Sequence, residues 1–500
     1  MRAPSVEFVA VVLAASTGAR LFPLTSGDHP KHLLPVGGIP LLARLLSVLH
    51  DAGFTHVVVG VASDDNATAE MLKGLRGVSQ EGSTYLFLAT LQITLSFLPV
   101  DCAGSAEALR IVSDLLPKES HILVLPGDLI VLETSCLIAL VNAHRRGNTH
   151  TQQHIPTACT VLLVDTGEQD EHGVPIKEAA KAKKGGLARD EEDIEYIGLS
   201  VASILSPVSS SASVSSPRLV WKQSKIDVEQ DEEFTGNTPK LLLPKPRLRC
   251  GTVTTIRMDW SDVHAYIFSP WVRHLWTARS SLVSVQGDLV PLLVGRQWRG
   301  IRATFGTNAT IANVEQLMED SQLQSQSLSH LEGLDLTKEY AVRAHVLHGS
   351  KVMRASTIPS YLHAGREVII QAVEQDLKQD QDQNQDQNPC VSLPDGTSLN
   401  VKLFSAILKG TELGDKVQCK LSTIGHDVKI SAKCRLNNVI VMDHVTVGEN
   451  CVLQNSILGE GCIIGENCNL NDCQVPPGKV VPAGTKEKGE SFMDVDDAYR

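Results

Sequence analysis

Five hundred residues give room for two or three domains and a sizeable core. A formal net charge of -12, from 57 acidic against 45 basic residues, argues against a protein held to nucleic acid by phosphate contacts. No apolar run is long enough for a membrane span, and the eleven cysteines contain no C-x-x-C pair, which points to free thiols in a reducing compartment and away from zinc.

In chain order, residues 9–15 are an apolar run that predicts a buried strand of a parallel sheet; Glu7 before it and the lack of a small-residue cleavage site argue against a signal peptide. The expected compartment is the cytosol. The strand gives way to Ser16-Thr17-Gly18-Ala19-Arg20, a small-residue turn in which backbone N–H groups can approach an anion while Arg20 supplies a fork of donors. Lys31, held between Pro30 and Leu33-Leu34-Pro35, places a second cation on a stiffened segment. Leucines at helical spacing over residues 40–49, a stop at Gly53 and a second apolar run at 56–61 complete a βαβ unit. The fold class this predicts is α/β, doubly wound and Rossmann-like.

Ala103-Gly104-Ser105-Ala106 has the form of a helix start. Residues 121–125 predict another buried strand, which delivers Asp128 at its carboxyl end, where open α/β sheets bind ligands. Residues 165–250 carry a basic run, an acidic run and a Ser/Pro-rich string, and read as disordered insertions rather than core. A Gln/Asp/Asn alternation then predicts a linker over residues 374–398. Beyond it apolar residues recur every six positions: Ile407, Leu413, then Ile424, Ile430, Leu436, then Val441, Val447, Leu453, then Leu458, Ile464, Leu470, often followed by glycine. A hexad repeat whose phase slips by one residue between groups predicts a left-handed parallel β-helix over 399–484, with Cys451, Cys462 and Cys468 as small packing residues inside it and an acidic tail at 485–500.

The loop resembles the signature of the sugar-phosphate nucleotidyltransferases, L-A-[AG]-G-x-G-x-R-L-x-P-L-T followed by P-K and L-P-V; Gly18, Arg20, Leu21, Pro23, Leu24, Thr25, Pro30, Lys31, Pro35 and Val36 stand where that pattern wants them. The resemblance implies that residues 1–373 form a nucleotidyltransferase-like domain, with Gly104 in the helix start near the nucleotide base and Asp128 where relatives hold magnesium. The departures fall on catalytic positions. The first glycine of the pattern is Ser16, the E-K-P element is absent, Asp262-Val263-His264-Ala265-Tyr266-Ile267-Phe268 replaces N-x-G-x-Y-x-F, and the second carboxylate, expected in a W-x-D-x-G-T run, is not found. A nucleotidyltransferase-like domain followed by a hexapeptide β-helix is similar to active pyrophosphorylases, to bifunctional uridylyl/acetyltransferases, and to the gamma and epsilon subunits of eukaryotic initiation factor 2B.

The erosion favours the gamma-subunit family. That resemblance implies a non-catalytic scaffold or regulatory subunit without cofactor. It would pair with the epsilon subunit and the remaining subunits of the complex, act on initiation factor 2 as substrate GTPase, and contact neither nucleic acid nor membrane. Gly18, Arg20, Lys31, Gly104 and Asp128 would then line a vestigial or regulatory nucleotide crevice. The alternative is an active sugar-1-phosphate nucleotidyltransferase, with Arg20 and Lys31 on the phosphates and Asp128 on magnesium.

Overall fold

The computed structural model describes residues 7–77, 91–99, 101–148, 155–165, 193–202, 216–228, 252–301, 304, 339–379 and 393–492, excepting positions 17, 26–28, 227, 350, 395 and 401. Strand β1 (Phe8–Leu13) has neighbours on both faces: Val9 and Val11 enter one core, Phe8, Ala10 and Val12 the other. Two-sided burial is why its sequence is nearly all apolar instead of alternating. The hairpin β2 (Pro35–Val36) and β3 (Ile39–Pro40) leads into α1 (Leu41–Asp51), β4 (His56–Ala62), α2 (Asn66–Gly77) and β5 (Gln92–Leu98). There follow α3 (Ser105–Val112), β6 (His121–Pro126), β7 (Leu129–Val131), α4 (Thr134–Asn148), β8 (Thr157–Asp165), β9 (Glu195–Ala202), β10 (Arg218–Ser224), β11 (Thr252–Arg257) and β12 (Trp260–Phe268). Helices α5 (Val272–Ala278) and α6 (Val290–Arg296), strands β13 (Ala341–His348) and β14 (Val352–Arg354) and helix α7 (Ile358–Gln379) complete the domain.

Ten strands form one sheet in the order β11-β9-β10-β13-β8-β12-β6-β1-β4-β5. β6, β1, β4 and β5 run parallel, and β12 is inserted antiparallel between β6 and β8. Leucines of α1 and α4 cover one face, while α3, α5 and α6 cover the other, so the domain is doubly wound as the βαβ pattern predicts. No helix among the described residues is long and apolar enough to cross a membrane.

The reading of residues 165–250 as insertions is corrected in part. β9 and β10 lie inside the sheet and bury Ile197, Leu199, Leu219 and Trp221. These strands are bordered by polar runs in sequence, and their apolar neighbours come from pairing with each other, with β11 and with β13, and from the core that they share with α6. The runs between and around them fall outside the described residues. Likewise α7 continues to Gln379, into the Gln/Asp-rich stretch. Its Glu, Gln, Asp and Lys residues include no glycine or proline to stop a helix already anchored by its first four turns.

The C-terminal strands form a left-handed β-helix with three parallel faces. Its interior columns are Ile407, Ile424, Val441, Leu458 and Val475; Leu413, Ile430, Val447, Ile464 and Val481; and Cys419, Leu436, Leu453 and Leu470, the last of these ending at the exposed Glu487 of the final rung. Each coil takes 17 residues, so steps of six, six and five account for the phase slip. Glycine follows the apolar residue because coils stack closely there: a Cβ on Gly465 would lie 2.4 Å from the backbone nitrogen of Ala483. Cys451, Cys462 and Cys468 are buried inside the coil. Leu413 departs from the expected pattern, being 43% exposed, because it belongs to the first coil and has a neighbouring rung on one side only.

The coil rests on the N-terminal domain. Ile440, Met442 and Ile457 join Tyr361, Ala364 and Val368 of α7 and Leu21, Leu24, Leu34 and Val36 of the loop region in one apolar cluster. Gly365 permits the approach, since a Cβ there would meet Ile440 at 2.9 Å.

Candidate functional site

Gly18 adopts a left-handed conformation at φ 69°, and a Cβ on it would lie 2.9 Å from Cβ of Lys31. The turn therefore folds directly over the lysine, and the carbonyl of Gly18 accepts a hydrogen bond from Thr25 Oγ1. Lys31 is buried and points at Asp128, which β6 delivers through the tight Gly127 turn. The structure thus brings Gly18, Lys31 and Asp128 together at the carboxyl edge of the sheet.

Asp128 has a second cation. Arg354, the last residue of β14, donates from Nε and Nη2 to the two carboxylate oxygens at 3.2 and 3.0 Å. β14 pairs with β7 so that Arg354 faces Leu129, and the amide of Ala355 donates to the carbonyl of Asp128. Burial by itself would raise the carboxyl pKa of Asp128, but Arg354 and Lys31 outweigh it and hold the group well below the ordinary carboxylate range. Lys31 is lowered by burial, with Asp128 opposing.

The run Val352-Met353-Arg354-Ala355-Ser356-Thr357 fits W-x-D-x-G-T in spacing and ends on the same threonine, with arginine where the carboxylate stands. The missing second carboxylate is therefore a charge inversion, and inspection for an acidic residue passes over it. Thr357 and the following helix with Tyr361 are the available signal.

His264, held at φ 59°, accepts from Arg354 Nη1 at 3.0 Å, and burial beside Arg354 pushes its pKa down to about 3, so the ring is neutral. Its amide donates to Asp262, which begins a further buried group. Lys222 lies 2.8 Å from Asp262 and 3.0 Å from Glu195; Tyr266 donates to Asp262, and Gln286 donates to Glu195. Burial would lower the Lys222 pKa, but the two carboxylates raise it; Glu195 is raised by burial and Asp262 is lowered by Lys222 against its burial. Sequence reasoning singles out neither Lys222 nor Glu195, because β9 and β10 fall in a stretch whose composition reads as insertion.

The two remaining predicted residues make other contacts. Arg20 is exposed and pairs with Asp193 at 3.2 Å. Gly104 is in extended backbone and packs against the loop before α6: a Cβ would lie 2.6 Å from the Val283 carbonyl, which accepts from the Ala106 amide. One of the amides at the start of α3 is thus already taken by the chain itself.

This donor set does not fit a divalent cation. Magnesium needs carboxylate oxygens with free lone pairs, whereas both oxygens of Asp128 face cations of the chain itself. Among the described residues no group of three or more His, Cys, Asp and Glu could hold a metal ion. A cavity of about 340 Å³ lined by Phe8, Phe54, Ile138, Val141 and Arg145 opens at the amino ends of β1 and β4, away from this cluster.

Fold and site together define a nucleotidyltransferase-type domain joined to a hexapeptide β-helix, and comparison with known proteins agrees: residues 9–182 match the family described as Nucleotidyl transferase, and residues 405–483 match the GMPPB C-terminal domain. Along 74% of its length the chain is similar to Translation initiation factor eIF2B subunit gamma of Schizosaccharomyces pombe, at 25% identity and covering 68% of that protein. It is 26% identical over 29% of its length to Bifunctional protein GlmU of Thermoanaerobacter pseudethanolicus, covering 27% of that protein. It is 47% identical over 11% of its length to Mannose-1-phosphate guanylyltransferase of Mycobacterium tuberculosis, covering 14%. Both the fold class and the resemblance to the eIF2B gamma subunit hold.

Proposed function

We propose that this chain is a non-catalytic, nucleotidyltransferase-like subunit of a cytosolic guanine-nucleotide exchange factor for translation initiation factor 2, working as the partner of an epsilon-type subunit. The observation that carries the reading is the occupation of Asp128 by Lys31 and Arg354. In-line nucleotidyl transfer needs a cation to orient phosphate oxygens and neutralise developing charge, and here the aspartate available for it serves two fixed side-chain cations. The similarity to the eIF2B gamma subunit covers 74% of the chain, whereas the similarity to these enzymes covers 29% and 11%.

The second reading, an active sugar-1-phosphate nucleotidyltransferase, is favoured by the retention of Gly18, Arg20, Lys31 and Asp128. One experiment separates them. The chain is co-expressed with an epsilon-type subunit and assayed for GDP release from initiation factor 2, and in parallel incubated with sugar 1-phosphates, nucleoside triphosphates and magnesium. Accelerated GDP release by a stable heteromer, without pyrophosphate formation, is expected. Robust pyrophosphate formation that Asp128→Asn abolishes would move the assignment to the enzyme.

A further inference from the structure

Two segments diverge from Asp128 and meet again under the β-helix. Lys31 leads into the β2–β3 hairpin, where Tyr361 Oη donates to the Pro35 carbonyl, Gly37 lies against Val368, and Gly38 lies against Leu408 of the first coil. Arg354 leads through Ala355 into α7, whose Tyr361, Ala364 and Val368 lie in the same apolar cluster as Ile440 and Ile457 of the coil. Asp128, Lys31, the hairpin, α7 and Arg354 thus form a closed ring, with the carboxylate on one side and the seat of the β-helix on the other. Packed interfaces of this kind shift between discrete arrangements rather than deforming continuously, so a change at one link is felt at the next. An anion entering the crevice contests the two cations that Asp128 now holds, and that contest supplies the differential interaction that coupling requires.

We propose that the Asp128 clamp transmits occupancy of the crevice to the β-helix: a phosphate-class anion that draws Lys31 and Arg354 from Asp128 shifts the seat of the coil, and needs no divalent cation to do so. The inference deepens the preceding reading and rests on it only in taking the crevice as non-catalytic.

Hydrogen exchange on the full chain, with inorganic pyrophosphate as the probe and either chelator or magnesium present, tests it. Pyrophosphate in chelator is expected to change exchange by about threefold or more in residues 358–373 and 435–458, the two sides of the seat. Asp128→Asn is expected to loosen the same segments without any anion and to remove the response to pyrophosphate. Changes confined to residues 126–131 and 352–354, a requirement for magnesium, or no binding of pyrophosphate would each overturn the proposal. Should Asp128→Asn fail to fold, Tyr361→Phe cuts the ring at the hairpin and leaves the charges in place. That variant is expected to bind pyrophosphate but lose the response at 435–458, and an unaltered response overturns the ring. Sugar-nucleotide synthesis by the same preparation would overturn the proposed function and is read separately from the exchange pattern.

Discussion

Asp128 is the residue on which the chemistry of the crevice turns, because its charge is buried and depends on two neighbours. Removing one of them leaves the carboxylate with Lys31 alone, so Arg354→Ala is expected to cost about 2–3 kcal/mol in urea unfolding, less than the ~3–5 kcal/mol of a fully orphaned buried charge. Arg354→Asp restores the carboxylate of the W-x-D-x-G-T pattern beside Asp128, and calorimetry should then detect binding of manganese that the parent lacks. Identical titrations of parent and variant would mean that this slot is not the counterpart of the second carboxylate. Two further depressed groups, besides Asp128 and Asp262, contribute to acid stability. His264 is held near pKa 3 by burial beside Arg354, whereas an unfolded histidine titrates near ~6.5. Because its folded pKa lies below its unfolded value, its contribution is complete above about pH 6.5 and is lost as pH falls toward about 3. Asp65 is raised by burial, but hydrogen bonds from His32 and Thr68 outweigh this and bring it to about 2, so its contribution is present above about pH 4 and disappears as pH falls through about 2. The urea midpoint should therefore decline from pH 6.5 downward, and His264→Asn, whose side chain suits a positive φ, should flatten the upper part of that slope by about one proton. A parallel slope in the variant would contradict the neutral state of the half-buried ring.

Among the elements, the β-helix gives the sharpest contrast within two adjacent residues. Ile463 is 46% exposed on the outer surface, while Ile464 is 1% exposed in an interior column between Val447 and Val481. Ile464→Asp places an unpaired carboxylate inside a stacked apolar column and is expected to destabilise the coil by several kcal/mol, on the order of 3–5. Ile463→Asp should leave the melting temperature within about 2 °C of the parent, as surface substitutions usually do. Reversed behaviour, with Ile463→Asp the destabilised variant and Ile464→Asp melting like the parent, would show the register to be shifted by one residue, since a one-residue slip exchanges the inner and outer sets. The six-residue repeat is legible because it recurs along the whole coil. The strands β9 and β10 are not, because each occurs once, bordered by polar runs, and the sheet neighbour of β10 on its other side, β13, is distant in sequence.

For the whole molecule, the exposed apolar residues bear on assembly. Ile463 and Val480 stand on adjacent coils of one outer face, with Phe97 on β5 half exposed. Such surface favours association, and a paralogous chain can cover it in a pseudo-symmetric pair. The isolated chain is expected to be polydisperse in light scattering and to become monodisperse on co-expression with an epsilon-type subunit. A well-behaved homodimer indifferent to that subunit would argue against the proposed partnership. Arg20→Ala, at an exposed position, should leave the exchange activity of such a heteromer unchanged if the crevice is vestigial.

The doubly wound core, the β-helix and the Gly18–Lys31–Asp128 corner were legible in the order of residues alone, because they rest on local periodicity and on motifs that span few residues. That order could not determine what Asp128 faces. Arg354 lies 226 residues further along the chain, and it reaches the aspartate only because β14 pairs with β7. Nor could it place Lys222 between Asp262 and Glu195, a meeting of three strands brought together by the sheet. Charge pairing at a buried site is a matter of distance in space, so it took the folded chain to show the retained aspartate already held by the chain's own cations.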